Sequence, residues 1–279
     1  MRKLIVFTQR GLTSCSLYLV VTAAILTSCY PASMIPDPYV VDNSRQEKNI
    51  YYVPSAPNTP LLSNKNDLNF NLLRTATSPI NGFEVQAAYL PTKHVGIIGR
   101  YSFAKDEKDN GGYPEYMKYK NFEIGAGYIT QFYKDFHFET YAGMGKGKIA
   151  NTHHTGFSNL NLTHYFIQPT LAVSNPNKTV QFAFVSRFAG VNFKIMDMRF
   201  DNLREPLSAA QLKSLDEKPF HVFWEPGLVL RFGWKEFLFH SGYSYSSDLT
   251  NSDLHRSEAV FSFGASLRLN SAKKTTPKN

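Results

Sequence analysis

From Asn66 onward, apolar and polar residues alternate with a period of two, in runs of ten or more residues separated by turn-rich pieces. In Gly82 to Leu90, Phe83, Val85, Ala87 and Tyr89 share one face and Glu84, Gln86 and Ala88 the other. In Asn121 to Phe132, Phe122, Ile124, Ala126, Tyr128 and Phe132 oppose Glu123, Gly125, Gly127 and Gln131. In Ala259 to Leu269, Phe261, Phe263, Ala265, Leu267 and Leu269 oppose Ser262, Gly264, Ser266 and Arg268. Side chains alternate across a β-strand, so each run has one apolar face and one small, polar or charged face. The pattern predicts ten strands, at about 66–75, 81–90, 93–104, 120–132, 135–147, 161–174, 178–193, 219–232, 235–247 and 257–269.

Every second connection is tight, near Pro91-Thr92, Tyr133-Lys134, Asn175 to Asn177 and Gly233-Trp234. The others are longer loops at 105–119, 148–160, 194–218 and 248–256, with Thr77 to Ile80 the one short member. Such alternation is expected of an all-β, antiparallel, up-and-down transmembrane β-barrel, apolar outside and polar within. With ten strands, both chain ends fall on the short-turn side. Asp67 to Thr75 alternates least cleanly, and Pro169 and Pro226 inside strand patterns suggest bulges or edges. Eight strands with one hairpin outside the wall is therefore the alternative count.

The contents of the two faces argue for a membrane over a soluble sandwich. The polar face carries Glu84, Glu123, Glu139 and Glu225 against Arg100, Arg187, Arg231 and Arg268, with many glycines and few of the long charged residues that dominate solvated sheets. The opposite face is rich in Phe and Tyr near strand ends, as in the aromatic girdles of membrane proteins. Four Glu against four Arg predicts a lumen closed by ion pairs, because unpaired charges there cost several kcal/mol each. Glu84 and Arg100, at similar distances from the Pro91 turn, are expected to face each other across the second and third strands.

Ahead of the strands, residues 30 to about 65 hold six prolines, Pro31, Pro36, Pro38, Pro54, Pro57 and Pro60, without periodicity, and read as an extended tether. The first 28 residues have a basic start and an apolar run, the layout of an export signal. Leu26-Thr27-Ser28-Cys29 resembles the lipobox of bacterial lipoproteins, which implies cleavage before Cys29 and acylation, for example by palmitate, of its thiol. The same tetrapeptide at Leu12 to Cys15 precedes most of the apolar run, so Cys29 is the better candidate. The domain plan is 1–28 signal peptide, 29–65 lipidated cysteine and linker, 66–270 barrel and 271–279 basic tail.

Asn121-Phe-Glu-Ile-Gly-Ala-Gly-Tyr, Glu225-Pro-Gly-Leu-Val-Leu-Arg-Phe and Gly264-Ala-Ser-Leu-Arg-Leu-Asn carry a broader likeness. The chain from 66 to 270 resembles the small outer-membrane β-barrel proteins of the Bacteroidota. The resemblance implies a structural or interaction role in the outer membrane of the cell envelope. It departs at Leu269-Asn270, where many such barrels finish on an aromatic residue.

The net charge of +8 falls to +2 without Arg2, Lys3, Arg10, Lys273, Lys274 and Lys278, which argues against a nucleic-acid surface. Two cysteines, one in the signal and one at the lipid site, leave no disulfide or cysteine nucleophile. No metal, cofactor or catalytic motif stands out, and no enzyme is expected. His153-His154 and the pair Asp253 and His255 read as loop residues; a surface hydrolase using Asp253 and His255 is the remote alternative. Ser241 and His240 point to opposite faces by parity and form no dyad. Leu207 to Leu215 can form a short helix capping the barrel mouth. The expected partners are outer-membrane lipid and an extracellular ligand contacting 105–119, 148–160 and 194–218, with both termini periplasmic. A narrow transporter or porin, and a soluble β-barrel lipoprotein, are the other readings.

Overall fold

The computed structural model describes residues 49–77, 80–110, 113–133, 135–153, 156–200, 206–234, 236–250 and 254–269. The chain divides into Met1–Gln46 and Glu47–Asn279, and every described residue belongs to the second unit. Cys29, the signal peptide, the linker up to residue 48 and the basic tail lie outside the described residues.

Ten antiparallel strands close into a barrel. They are β1 (Leu68–Thr77), β2 (Asn81–Tyr89), β3 (Val95–Asn110), β4 (Tyr113–Phe132), β5 (Phe136–His153), β6 (Gly156–Ser174), β7 (Val180–Phe200), β8 (Phe220–Gly233), β9 (Phe237–Tyr245) and β10 (Ala259–Leu269). One helix, α1 (Pro206–Glu217), joins β7 to β8. Each strand pairs with its sequence neighbours, and β1 pairs with β10 from Leu68↔Leu269 to Thr77↔Val260 to shut the cylinder. All ten stand in the wall, so the eight-strand alternative falls. Even β1 alternates cleanly between inside and outside.

Neither interior proline makes a bulge. Pro169 and Pro226 each leave a gap in one ladder with the register unchanged on both sides, because proline has no amide hydrogen to donate. Beyond the gap at Pro226, Ser247–Asp248 continues β9 against β8. Among the described residues the one register shift is between Asn159 and Leu160, where Met196 of β7 is the extra residue.

The described residues of the expected loops at 105–119 and 148–160 are strand. β3 runs on to Asn110 against β4 from Tyr113, and β5 runs on to His153 against β6 from Gly156. Of 194–218, the first part continues β7 to Phe200 and Pro206–Glu217 is helix, so the short capping helix is present and somewhat longer than expected. These hairpins continue because period two continues, but with the faces exchanged. On β4, Phe122, Ile124, Tyr128 and Phe132 point outward, exposed, with Asn121 and Glu123 inward. From Lys120 upward, Lys118 and Lys120 point outward and Tyr119 and Met117 inward. Ile149, Leu160, Leu162 and Phe193 turn inward at the same height, forming one core with Leu212 and Leu215 of α1.

The largest departure from expectation is the stretch Asn49 to Leu62. It is not a tether outside the barrel; every residue in it is buried. At the end bearing the long hairpins, Asn151 Nδ2 donates to the Ile50 carbonyl and Tyr52 stacks on Phe223 at 4.0 Å. At the opposite, short-turn end, Lys178 Nζ donates to Ser63 Oγ, and Asn66 N donates to the Leu90 carbonyl as the chain turns into β1. The segment thus runs the length of the lumen before the wall begins. Asn49 stands at the hairpin end, and Leu68 and Leu269 at the turn end. The reading that put both chain ends on the short-turn side does not describe residue 49.

Candidate functional site

The lumen is where the chain buries ionisable side chains. Strand parity sends Glu84, Arg100, Glu123, Glu139, Arg187, Glu225, Arg231 and Arg268 inward, and all eight are buried. They divide into two groups.

The first group lies at mid-height and links five strands. Glu123 on β4 is its centre. Arg187 approaches it with two guanidinium nitrogens, Nη1 to Oε2 at 3.0 Å and Nη2 to Oε1 at 2.9 Å, the bidentate fork that planar guanidinium makes with carboxylate. Arg100 Nη2 donates to Glu123 Oε2 from the neighbouring strand, where the register sets Arg100 directly opposite Glu123. Asn121 Nδ2 donates to Glu123 Oε1 at 3.1 Å, and His164 Nε2 lies 2.8 Å from that oxygen. His164 reaches Glu123 over Gly145, which sits between them in the register; a Cβ there would come within 2.6 Å of Glu123 Cγ and collide with the imidazole.

Arg187 also spans to Glu225, with Nε 3.0 Å from Oε2, and stacks its guanidinium 4.3 Å from the Phe166 ring centroid. Glu84 takes Ser102 Oγ at 2.9 Å and Gln86 Nε2 at 2.6 Å. The expected face-to-face pair of Glu84 and Arg100 is corrected. The register places Glu84 opposite Ser102 and Arg100 opposite Gln86, leaving a diagonal contact of 3.7 Å between Arg100 Nη1 and Glu84 Oε1. Three carboxylates share two guanidiniums here. The remaining negative charge is spread over neutral donors and His164.

The second group, Glu139, Arg231 and Arg268, lies toward the turn end. Arg231 Nε donates to His240 Nδ1 at 3.1 Å, and Arg268 Nη2 to Gln181 Oε1 at 3.0 Å. The backbone amides of Leu61 and Leu62 approach Glu139. No carboxylate lies within ion-pair distance of either arginine among the described residues. The even count of four and four therefore hides an uneven division between the two heights.

Both groups hold the lumenal segment. Its carbonyls accept from the wall: Ala56 from Arg100 Nη1 at 3.0 Å and Gln86 Nε2 at 3.4 Å, Asn58 from Gln168 Nε2 at 2.6 Å, and Thr59 from Arg231 Nη1. In return Tyr52 Oη donates to Glu225 Oε1 at 2.5 Å. Tyr51 N donates to the His255 carbonyl, and Ser257 N to the Tyr52 carbonyl. Pro54, Pro57 and Pro60 suit this place, since each removes an amide hydrogen that a dry interior would have to satisfy. Beside Arg100 and Glu123 the free volume is only about 10 Å³, room for at most one water. A wider cavity of about 460 Å³ opens at the turn end between Leu62, Ser63, Lys93, His94 and Tyr133.

Sequence reasoning missed one cluster at the hairpin end. His221 packs edge-on against Phe193, with Nδ1 3.0 Å from Thr250 Oγ1 and 3.4 Å from Asp248 Oδ2, and Nε2 3.1 Å from the Lys218 carbonyl. With both ring nitrogens engaged, the imidazole ties the end of α1 to the continuation of β9. Of the remote hydrolase pair, His255 lends its carbonyl to Tyr51, and Asp253 lies outside the described residues, as does His154. His240 is buried in the lumen and Ser241 exposed outside, on opposite faces. Among the described residues no cluster of three or more His, Cys, Asp or Glu is arranged to hold a metal ion.

No protein-family model matches the chain, and no curated protein matches it at a significant level.

Proposed function

We propose that this chain is a lipid-anchored outer-membrane β-barrel that acts as a structural or interaction protein, closed by its own N-terminal segment and without catalysis of its own. The observation that carries this reading is the exchange of faces along the strands. The outward apolar band on β4, from Phe132 to Phe122, covers ten residue rises, about 25 Å along the axis of a tilted strand. Above it the outside turns to lysine and the inside to aliphatic and aromatic side chains. One cylinder thus has a surface suited to hydrocarbon below and to water above. A soluble barrel has no use for outward aromatic side chains at the exposure of Phe122, Phe132 and Phe263, each more than half exposed.

The longer hairpins then face the cell exterior and the short turns the periplasm, the usual arrangement of such barrels. The hairpin tips and α1 are the contact surface for an extracellular ligand. The occupied lumen speaks against a conducting porin. Acylation at Cys29 belongs to the same reading and rests on the sequence ahead of it.

Fractionation tests the proposal. The overexpressed protein is expected in the outer membrane, resistant to urea and carbonate extraction, and shifted in mobility on unheated gels. Recovery in the soluble periplasm after Cys29→Ser would reduce it to a soluble barrel held only by its lipid. Radiolabelled palmitate is expected to enter the wild type and not Cys29→Ser.

A further inference from the structure

The lysines that begin where the apolar band ends form a surface of their own. On three adjacent strands the outward positions change from apolar to cationic at one level: Phe103 to Lys105 on β3, Phe122 to Lys120 and Lys118 on β4, Met144 to Lys146 and Lys148 on β5. The registers place them side by side. Lys105 is opposite Lys118, Lys120 is opposite Lys148, and Phe122 is opposite Lys146. The rows continue into Asn161 and Lys194 beyond Lys148, and into Thr163 and Asn192 beyond Lys146.

Like charges directly across a ladder destabilise the sheet, so two lysine–lysine pairs on one face are relieved by an anion. The protein supplies one for the first pair, where Glu107 attracts both Lys105 and Lys118, and none for the second among the described residues. Lys105 pairs with Glu107, Lys118 lies over the Tyr116 ring at 4.1 Å, and Lys120 lies over the Phe103 ring at 5.8 Å. Lys146, Lys148 and Lys194 have no carboxylate partner among the described residues. Three strand spacings separate Lys120 from Lys194, about 14 Å, wider than a single phosphate. On the far side of the barrel β8, β9 and β10 carry no outward lysine: Trp224, Leu228, Phe239, Tyr243, Phe261 and Phe263 occupy those positions.

We propose that this ledge on β3 to β7 is a binding site for a phosphorylated glycolipid of the leaflet facing the hairpins. The inference rests on the membrane reading and deepens it. Such a molecule matches three features at once. Its acyl chains lie along Phe122, Met144 and Tyr165; its phosphates meet the ammonium groups just above; its sugar hydroxyls reach the amides of Asn161 and Asn192 and the hydroxyl of Thr163. The ledge also fixes the height and rotation of the barrel in the bilayer, since its lysines cluster on β3 to β7, while the outward cation of β1, Arg74, stands alone over the Phe83 ring at 5.3 Å.

The test uses the full mature chain inserted into phosphatidylcholine vesicles containing a tenth part of a bis-phosphorylated, hexa-acylated glucosamine disaccharide, extracted in mild detergent and read by native mass spectrometry. The wild type is expected to retain the glycolipid in preference to phosphatidylcholine. A variant carrying K120Q, K146Q and K148Q is expected to lose that preference by about tenfold or more, each lysine being worth a few-fold at a charged surface. K93Q with K178Q, at the turn end, is expected to keep it. Equal retention by the triple variant, by the dephosphorylated glycolipid, or by phosphatidylglycerol at the same fraction would overturn the site. Failure of the wild type to insert at all would instead overturn the membrane reading, which separates the two.

Discussion

Tyr52 Oη donates to Glu225 Oε1 at 2.5 Å across 173 sequence positions, joining the segment inside the barrel to its wall. The same tyrosine stacks on Phe223, two residues away on the same face of β8. Tyr52→Phe keeps the stack and removes the donor, leaving a buried carboxylate oxygen with one partner fewer. The expected cost is about 1–3 kcal/mol, read as a lower urea midpoint of the inserted protein with unchanged mobility on unheated gels. In a Glu225→Gln background the same change is expected to cost less, which a double-mutant cycle measures.

Glu123 is the shared anion of Arg100 and Arg187. Glu123→Ala leaves two guanidiniums buried without it and is expected to destabilise by about 3–5 kcal/mol. Arg187→Met together with Glu123→Met removes charge of both signs and is expected to cost less than Glu123→Ala alone. Thermal loss of the compact gel form ranks the three proteins; equal loss in all of them would mean that packing, not charge, sets the stability here.

Occupation of the lumen has an electrical consequence. The wild type in a planar bilayer is expected to give little or no steady conductance. Removing 49–62 takes away the chain that meets Arg100, Gln168 and Arg231 and is expected to give discrete open steps. The unheated gel shift establishes that the deleted protein is folded before its conductance is read. A folded, silent deletion variant would mean that the wall side chains close the lumen unaided.

Much of this was legible in the sequence, and the limits have physical causes. Period two repeats ten times, so strand number and the inward parity of residues such as Glu84 and Arg268 could be read directly. Partner identity could not, because it depends on the turn centre. Placing that centre at Thr92 pairs Glu84 with Arg100; the observed centre is Lys93, and one residue of turn moves the partner by two, to Ser102. The hairpin extensions were hidden because Lys118 and Lys148 look like loop residues if the outside is assumed apolar throughout. Their parity with Tyr119 and Ile149 was the available signal. The lumenal segment was hidden because Pro54, Pro57 and Pro60 give it the look of a tether, although Ile50, Tyr51, Tyr52, Val53, Leu61 and Leu62 are a poor composition for solvated chain.

The direction of that segment gives the last prediction. Asn49 stands at the hairpin end, while Ser63 to Asn66 and the start of β1 stand at the turn end. If the hairpins face outward, the chain crosses the membrane within its own lumen before it begins to build the wall. A protease site inserted immediately before Asn49 is then expected to be cut on intact cells, and so is the polypeptide near Leu249, exposed at the same end. Lys65→Cys, exposed at the other end, is expected to react with a membrane-impermeant maleimide only after the outer membrane is opened. Labelling of Lys65→Cys on intact cells together with protection of the inserted site would reverse the orientation, placing the hairpins and the lysine ledge in the periplasm.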